Sequence, residues 1–189
     1  MDLLEAVYSR RAVREFTAEP VDEKTLRQLI DAAIQAPSAV NEQPWLFSVV
    51  LDKALLSRIS QKAKAHVVKT TAVGLLSHTP RYQQILNDPT FDIFYHAPAL
   101  IVIAAAAGGP WAVENCTLAA ENLMLAARGL GLGTCWIGFS QGWLGTEEGK
   151  AALSLPAGSV PVAPIIVGHP KSAPPPVARK EPQIHWLRL

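Results

Sequence analysis

Cysteine is scarce in this chain: its 189 residues contain only Cys116 and Cys135. The two form neither a C-x-x-C pair nor a metal-like spacing, and each lies in an apolar segment. We therefore expect reduced thiols buried in a core rather than a disulfide framework. The five histidines show no zinc-ligand spacing either, so we assign no metal site.

Excess charge and long hydrophobic runs are missing as well. Lysine and arginine number 17 against 16 aspartate and glutamate, for a net charge of +1, so nothing in the overall charge favours nucleic acid or an anionic membrane. The longest apolar run, residues 97–111, is interrupted by Pro98 and is too short to cross a bilayer. Acidic residues near the N-terminus replace the bases of a secretory leader, so we expect a cytoplasmic protein.

Several catalytic signatures are absent too. No G-x-G-x-x-G follows a predicted strand, which argues against a Rossmann domain, and no G-x-S-x-G elbow supports a serine hydrolase. Internal repeats are not visible. In contrast, 49% of the residues are hydrophobic and only 17% are charged. Such an apolar composition favours a single domain over residues 1–189 whose surface is partly covered by a second copy.

Hydrophobic periodicity predicts alternating helices and strands. Helices are predicted over residues 2–9, 22–36 with Asp22 as the cap, 52–64, 113–129 and 146–154. Strands are predicted over residues 46–51, 99–106, 131–138 and 160–168. The first strand is expected to be buried on both faces. The last contains Pro161 and Pro164, which predict an edge position or a bulge.

Three further segments have distinctive patterns. Residues 66–98 lack a clean period and carry several aromatic residues, so we expect an irregular region that covers a ligand, with one or two of Tyr82, Phe91, Phe94, Tyr95 and Trp111 over a pocket and the rest in the core. Residues 113–129 predict a buried central helix, with Leu118, Asn122, Leu125 and Ala126 on one side. The proline-rich tail from residue 172 is extended and too short to form its own core, so it lies on its own surface or a partner's.

Two segments concentrate the groups that bind ligands. Residues 9–16, S-R-R-A-V-R-E-F, place three guanidiniums within five positions, and such planar, permanently charged groups suit a phosphate. Residues 36–45, A-P-S-A-V-N-E-Q-P-W, form a turn rich in hydroxyl and amide groups. Taken alone, the arginines are equally consistent with a solvated face paired to Glu5 and Glu15, and the turn with a plain helix stop. Together they favour a site for a phosphorylated, planar ligand.

These two segments, the block A-A-E-N-L-M-L-A-A-R-G-L-G-L-G-T-C-W-I-G at residues 119–138, and Arg179 before Pro182 occur in one order along nearly the whole chain. In that order they resemble the FMN-dependent nitroreductases. The resemblance implies an α+β fold with a mixed central sheet flanked by helices. It also implies an intertwined homodimer in which the extended tail, residues 171–189, packs on the partner subunit.

The resemblance also implies a cofactor site. It places Arg10, Arg11, Arg14 and Arg179 at the phosphate and pyrimidine edge of FMN, and Pro37, Ser38, Asn41 and Gln43 along the ring and ribityl chain from the same or the other subunit. Ile137 and Gly138 would offer backbone groups near N5. The remaining implied contacts are Ala12, Ala39 and Trp136, although the rings of Trp45 and Trp136 are expected to be core. Glu114 and Glu121 receive no catalytic role, because the flavin N5 carries the chemistry.

The activity implied by the resemblance is NAD(P)H-dependent, ping-pong reduction of an electron-poor acceptor such as a nitroaromatic or quinone. Two alternatives remain open: a non-catalytic flavin-binding or sensor protein, and a specialised reductase acting on an activated alkene. Two departures from the family pattern affect cofactor affinity. Ala12 replaces a frequent serine or threonine, and Ile137 replaces a glutamate found in some relatives. The sequence does not identify the physiological acceptor, the choice between NADH and NADPH, or oxygen sensitivity.

Overall fold

A four-stranded sheet organises the computed structural model, which describes residues 1–71 and 80–188. Its strands are β1 (Trp45–Val50), β2 (Ala99–Ala105), β3 (Gly133–Trp136) and β4 (Val160–Gly168), in the order β1-β2-β4-β3. The three neighbouring pairs are all antiparallel. Among the described residues, parallel pairing occurs only at an isolated bridge between Ala12 and Thr134. The α+β class is therefore confirmed, whereas the predicted mixed sheet is antiparallel apart from this bridge.

Helices cover both faces of this sheet. They are α1 (Leu3–Ser9), α2 (Glu23–Ala33), α3 (Lys53–Thr71), α4 (Pro80–Asn87), α5 (Ala112–Gly129), α6 (Gly138–Leu144) and α7 (Glu147–Ala152). Side chains cap at least four helix starts, including that of α3, where Asp52 accepts from the Leu55 N–H at 2.7 Å. Asp2 accepts from the Glu5 N–H at 2.8 Å, Asp22 from the Thr25 N–H at 2.8 Å, and Thr146 from the Gly149 N–H at 3.1 Å. Each cap satisfies a backbone donor that has no partner within its helix, so the predicted cap at Asp22 is confirmed.

The two central strands, β2 and β4, separate two hydrophobic clusters. On one face, Ile101, Ile103 and Ile165 pack with α2 and α5. On the other face, Leu100, Val102 and Ile166 pack with α3 and α6. Because helices cover both faces, alternate residues of these strands are equally buried, which explains their continuous apolar sequence. Both cysteines are buried and unpaired, as predicted.

The face of helix α5 that packs against the core is not the face that carries Leu118. Its buried side is built mainly from small residues: Asn115, Cys116, Ala119, Ala120, Leu123, Met124 and Ala127. Leu118 is 46% exposed and Val113 is 53% exposed. Alanines let the helix approach the sheet closely, so in this chain the small residues form the core face and the larger ones face outward. The prediction of all-round burial is wrong for the single chain.

Strand β4 is central, so the edge position predicted from its prolines is wrong and the bulge is confirmed. Ile103 pairs with Ala163 but Ala104 with Pro161, which leaves Val162 as the extra residue. The Pro164 carbonyl accepts from the Ile137 N–H at 2.8 Å, just beyond the end of β3. Because the N and O atoms of a strand residue face the same side, the missing N–H of Pro164 falls where the neighbouring strand has ended.

Three smaller predictions need correction. Strand β1 lies at the sheet edge and is mostly half-buried, not buried on both faces. Helix α2 ends at Ala33 and not at residue 36 as predicted, and Ile34 just beyond it is 39% exposed. The region predicted to be irregular contains the last turn of α3 and all of α4. Part of that region, including the side chain of Tyr82, lies outside the described residues.

Candidate functional site

The predicted arginine segment, residues 9–16, runs along the edge of β3. The Val13 N–H donates to the Thr134 carbonyl at 2.9 Å, beside the Ala12–Thr134 bridge. A second bridge joins Phe16 to Pro170. Val13 and Phe16 are buried, whereas Ala12 and Arg14 are exposed. The segment is therefore anchored by the buried side chains of Val13 and Phe16, three residues apart, while Arg14 faces outward.

Arg10 and Arg11 have guanidinium atoms that the protein does not satisfy. Arg10 Nε lies 3.3 Å from a Glu121 carboxylate oxygen without making a hydrogen bond to it, and Arg11 Nη1 donates to the Tyr8 and Arg10 carbonyls at 2.7 and 2.6 Å. The Nε atoms of both arginines are buried without a hydrogen-bond partner in the described part of the chain. A buried, unpaired guanidinium N–H is costly, so these atoms fit an anionic ligand such as a phosphate.

Arg14 faces a cavity instead. Its guanidinium carbon lies 5.9 Å from the ring centroid of Tyr95, and Phe91 meets Tyr95 edge-on at 5.6 Å. These side chains line a cavity of about 570 Å³ that also reaches His96 and Lys171. Of the candidate aromatics, Phe91 and Tyr95 therefore line a pocket, Phe94 is core, and Trp111 is 55% exposed.

Arg14 and Arg10 also lie close enough to β3 to act on Cys135. Burial raises the pKa of the Cys135 thiol, and the nearby positive charges of Arg14 and Arg10 oppose part of that rise. Both arginines therefore share one electrostatic environment with β3. The cavity beside Arg14 also contains the carboxylates of Glu15, Asp88 and Asp92, so its charge is mixed.

The predicted turn at residues 37–43 is held in an unusual backbone conformation. Val40, Asn41 and Gln43 all have positive φ, at 47°, 55° and 50°. For a β-branched residue such as Val40 this conformation is strained, and Val40 is 96% exposed, so no packing within the chain offsets it. Inside the turn, Gln43 donates its N–H to Ser38 Oγ at 3.0 Å and its amide to Asn41 Oδ1 at 2.9 Å.

Helix α5 holds both predicted segments but at separate places. Near its start, Asn115 Oδ1 accepts from the Ala39 N–H at 2.9 Å. Farther along, Glu121 lies beside Arg10, and Arg128 donates to Ser9 Oγ at 2.9 Å. Residues six apart on a helix differ by ~9 Å in height and ~120° in direction. No hydrogen bond or ion pair joins the turn to the arginine segment among the described residues.

The end of β3 leaves one backbone donor free. Ile137 is buried; its N–H donates to Pro164, and its carbonyl accepts from Ser140 N and Oγ at 3.1 and 2.8 Å. Gly138 is exposed at the start of α6, and its N–H makes no hydrogen bond in the described chain. Of the two predicted backbone contacts, Gly138 is thus the available donor. Trp136 is half-buried against the core, as predicted.

The tail contacts the rest of the described chain at its first residue, where the Lys171 N–H donates to the Glu15 carbonyl at 3.0 Å. Arg179 is exposed, and every residue from 171 to 188 except Pro174 is exposed too. Arg179 makes no hydrogen bond or ion pair within the described residues. Beyond Lys171, the described tail therefore stays exposed in the single chain, and its packing on a partner remains a prediction.

Sequence reasoning gave no role to Asn115 and no catalytic role to Glu121, which the structure places beside the predicted segments. Asn115 carried a detectable signal, because it is a polar residue on the small, apolar face of α5. The described residues contain no cluster of acidic, histidine or cysteine side chains able to hold a metal ion. No described helix is long and apolar enough to cross a membrane.

Comparisons with known proteins support the fold and identify the family. Residues 7–169 match the model of the nitroreductase family, and the chain belongs to that family. A nitroreductase with bound FMN from Desulfitobacterium hafniense DCB-2 is 27% identical, with a TM-score of 0.82 and complete coverage of both chains. A nitroreductase with bound FMN from Bacteroides fragilis shares the fold at 24% identity and a TM-score of 0.79, covering 98% of this chain and 95% of that one.

A sequence relative named NADH dehydrogenase, from Thermus thermophilus, is 38% identical over 78 residues. That alignment covers 40% of this chain and 38% of the relative. Two archaeal relatives named in part for NAD(P)H nitroreductase activity are matched over 32% and 34% of their lengths. The sequence matches therefore support the family and leave the activity of the whole protein to be tested.

Proposed function

We propose that the protein is an FMN-dependent oxidoreductase that uses NADH or NADPH to reduce a small electron-poor acceptor, such as a nitroaromatic or quinone. The main supporting observation is that the buried Nε atoms of Arg10 and Arg11 make no hydrogen bond in the described chain, which belongs to the nitroreductase family, although Arg10 Nε lies 3.3 Å from Glu121. Structures of similar proteins with bound FMN support the choice of cofactor. When bound, FMN supplies hydride acceptance from the nicotinamide and electron delivery to the acceptor.

In this proposal the chain binds and tunes the cofactor. Arg10 and Arg11 hold the phosphate through charge-assisted hydrogen bonds worth about 1.5–3 kcal/mol each. Arg14 stabilises negative charge at the pyrimidine end, which raises the reduction potential. The open cavity beside Arg14 and Tyr95 admits donor and acceptor in turn, which predicts ping-pong kinetics. That access favours an enzyme over a closed flavin-binding sensor.

The site requires two subunits in this proposal. The turn and the arginine segment attach to different faces of α5, so the turn of one chain completes the site of the other. Leu118 and Val113 on the outer face of α5, and Leu3, Leu4 and Tyr8 on α1, are exposed apolar residues that a second copy would cover. Residues 1–189 then form one domain per subunit, with the tail from residue 171 on the partner and Arg179 near its phosphate.

The test is reduction of the purified, FMN-loaded protein without oxygen. We expect NADH or NADPH to bleach the yellow colour, and a nitroaromatic or quinone to restore it. A protein that stays yellow with both donors is a flavin-binding module rather than an enzyme. Bleaching followed by recovery only with an activated alkene identifies the specialised reductase instead.

A further inference from the structure

The strained turn at residues 37–43 depends on very little of the rest of the chain. Four hydrogen bonds lie inside the turn, among Ser38, Ala39, Asn41, Glu42 and Gln43. One joins the turn to another element in the described structure, from the Ala39 N–H to Asn115 Oδ1 at 2.9 Å. Three left-handed residues each cost about 1–3 kcal/mol, and such conformations persist only when the surroundings enforce them.

We propose that Asn115 is a positioning residue for cofactor binding: its side-chain oxygen fixes the Ala39 N–H and so holds residues 37–43 in the shape that receives the flavin. This inference rests on the proposed function. Asn115 is only 2% exposed, so it acts through the turn and not by direct contact with solvent-borne ligands.

The side-chain nitrogen of Asn115 takes no part in holding the turn. This Nδ2 atom is buried without a hydrogen-bond partner in the described chain, although leaving a buried donor unpaired is costly. Only the oxygen is therefore used by the turn. Aspartate retains that oxygen, and its charge near the start of α5 is favoured by the helix dipole, whereas leucine has a similar size and no acceptor.

The backbone around Ala39 allows the same bond to be removed from its other end. Ser38 is extended, with φ −136° and ψ 152°, which is the conformation that a residue before proline prefers. Ala39 begins a short 3-10 helix, where proline is tolerated and its N–H has no helical partner. Ala39→Pro thus removes the donor and leaves Asn115 in place.

The experiment compares FMN dissociation constants, measured by flavin fluorescence, for the full-length protein and its variants. We expect Asn115→Leu and Ala39→Pro each to weaken FMN binding by about tenfold, and Asn115→Asp to stay within about threefold of wild type. Because both changes remove the same hydrogen bond, the double variant should bind FMN no more weakly than the weaker-binding of the two single variants. Visible circular dichroism of the bound flavin should change in the Leu and Pro variants and not in the Asp variant.

A matched control separates positioning from stability. Asn122 lies on the same helix, and its amide donates to the Ala32 carbonyl at 3.3 Å. Asn122→Leu should lower the thermal midpoint of the apoprotein without changing the FMN dissociation constant. If Asn115→Leu behaves like this control, or Asn115→Asp fails to retain binding, the inference is overturned while the proposed function stands. A wild-type protein that binds no FMN overturns both.

Discussion

Gly133 and Val13 approach each other so closely that a Cβ added to Gly133 would lie 2.8 Å from the Val13 side chain. This contact is where the arginine segment presses on β3, next to the hydrogen bond from the Val13 N–H to Thr134. Glycine is required here by space, because real Cβ atoms do not approach other atoms this closely. The position of Arg10 and Arg14 therefore depends on the absence of a single methyl group on the neighbouring strand.

Substituting Gly133→Ala should push the arginine segment away from β3. We expect a loss of about 1–3 kcal/mol in the free energy of unfolding, as is typical of overpacking, together with weaker FMN binding. Urea unfolding and an FMN titration measure the two effects. Gly129→Ala is the matched control, since an added Cβ there meets nothing within 4 Å. Equal behaviour of the two variants would contradict this account of the contact.

Removing Arg10 and Arg14 together should release FMN. Two charge-assisted contacts of about 1.5–3 kcal/mol each correspond to a loss of affinity of at least ~100-fold. The flavin-to-protein ratio after gel filtration gives a direct measurement. Arg27→Ala serves as the control, because Arg27 is an exposed residue of α2 paired with Asp31 at 2.8 Å. Retention of stoichiometric flavin by the double variant would show that the flavin binds elsewhere.

How far the sequence predicted this molecule depends on whether a feature is local. Asp22 was predicted as a cap because capping is set by residues three positions apart. Strand β2 followed from an apolar run between Pro98 and Gly108, and β3 from an apolar run bounded by glycines. The strand order and the central place of β4 arise from long-range pairing, which no local pattern reports, whereas the prolines of β4 did predict its bulge. The prolines of β4 suggested an edge strand. However, β3 ends beside Pro164, so the missing N–H of Pro164 faces a side of β4 where no strand is paired.

The candidate site shows the same division. The order of the motifs pointed to the arginine segment and the turn. In the structure, β3 and α5 hold the arginine segment, and α5 holds the turn. The order of the motifs could not indicate that the backbone N–H and carbonyl of Ile137 would be hydrogen-bonded within the protein, or that Asn115 would hold the turn. Both features depend on which elements pack together. The leucine face of α5 was predicted as core for a related reason: a surface awaiting a partner has the same composition as an interior.

Leu118 provides a test of the second subunit. It is 46% exposed on the outer face of α5, and Leu118→Glu would place a charge inside the proposed interface. We expect the mass measured by light scattering to fall from dimer to monomer, with loss of bound FMN, because each site then lacks the partner's turn. Val68→Glu is the control, on the exposed side of α3 at 39% exposure. A dimer that survives Leu118→Glu would locate the interface elsewhere.

Cys116 predicts an alkaline limit to stability. Burial raises the pKa of its thiol to about 11, from 9.0 for an unperturbed cysteine. The folded state therefore holds this proton more tightly than the unfolded state does. The resulting stabilisation is fully present below pH 9.0 and is lost as the pH rises through about 11.

Urea unfolding between these limits should show a declining free energy of unfolding, with a slope of at most about 1.4 kcal/mol per pH unit from this group. Cys116→Ala should be flatter over the same range, since alanine removes the titrating thiol while the small core face of α5 accommodates it. If the free energy of unfolding declines in parallel for the two proteins, other groups govern the alkaline transition. The pKa of the Cys116 thiol would then be the same in the folded and unfolded states.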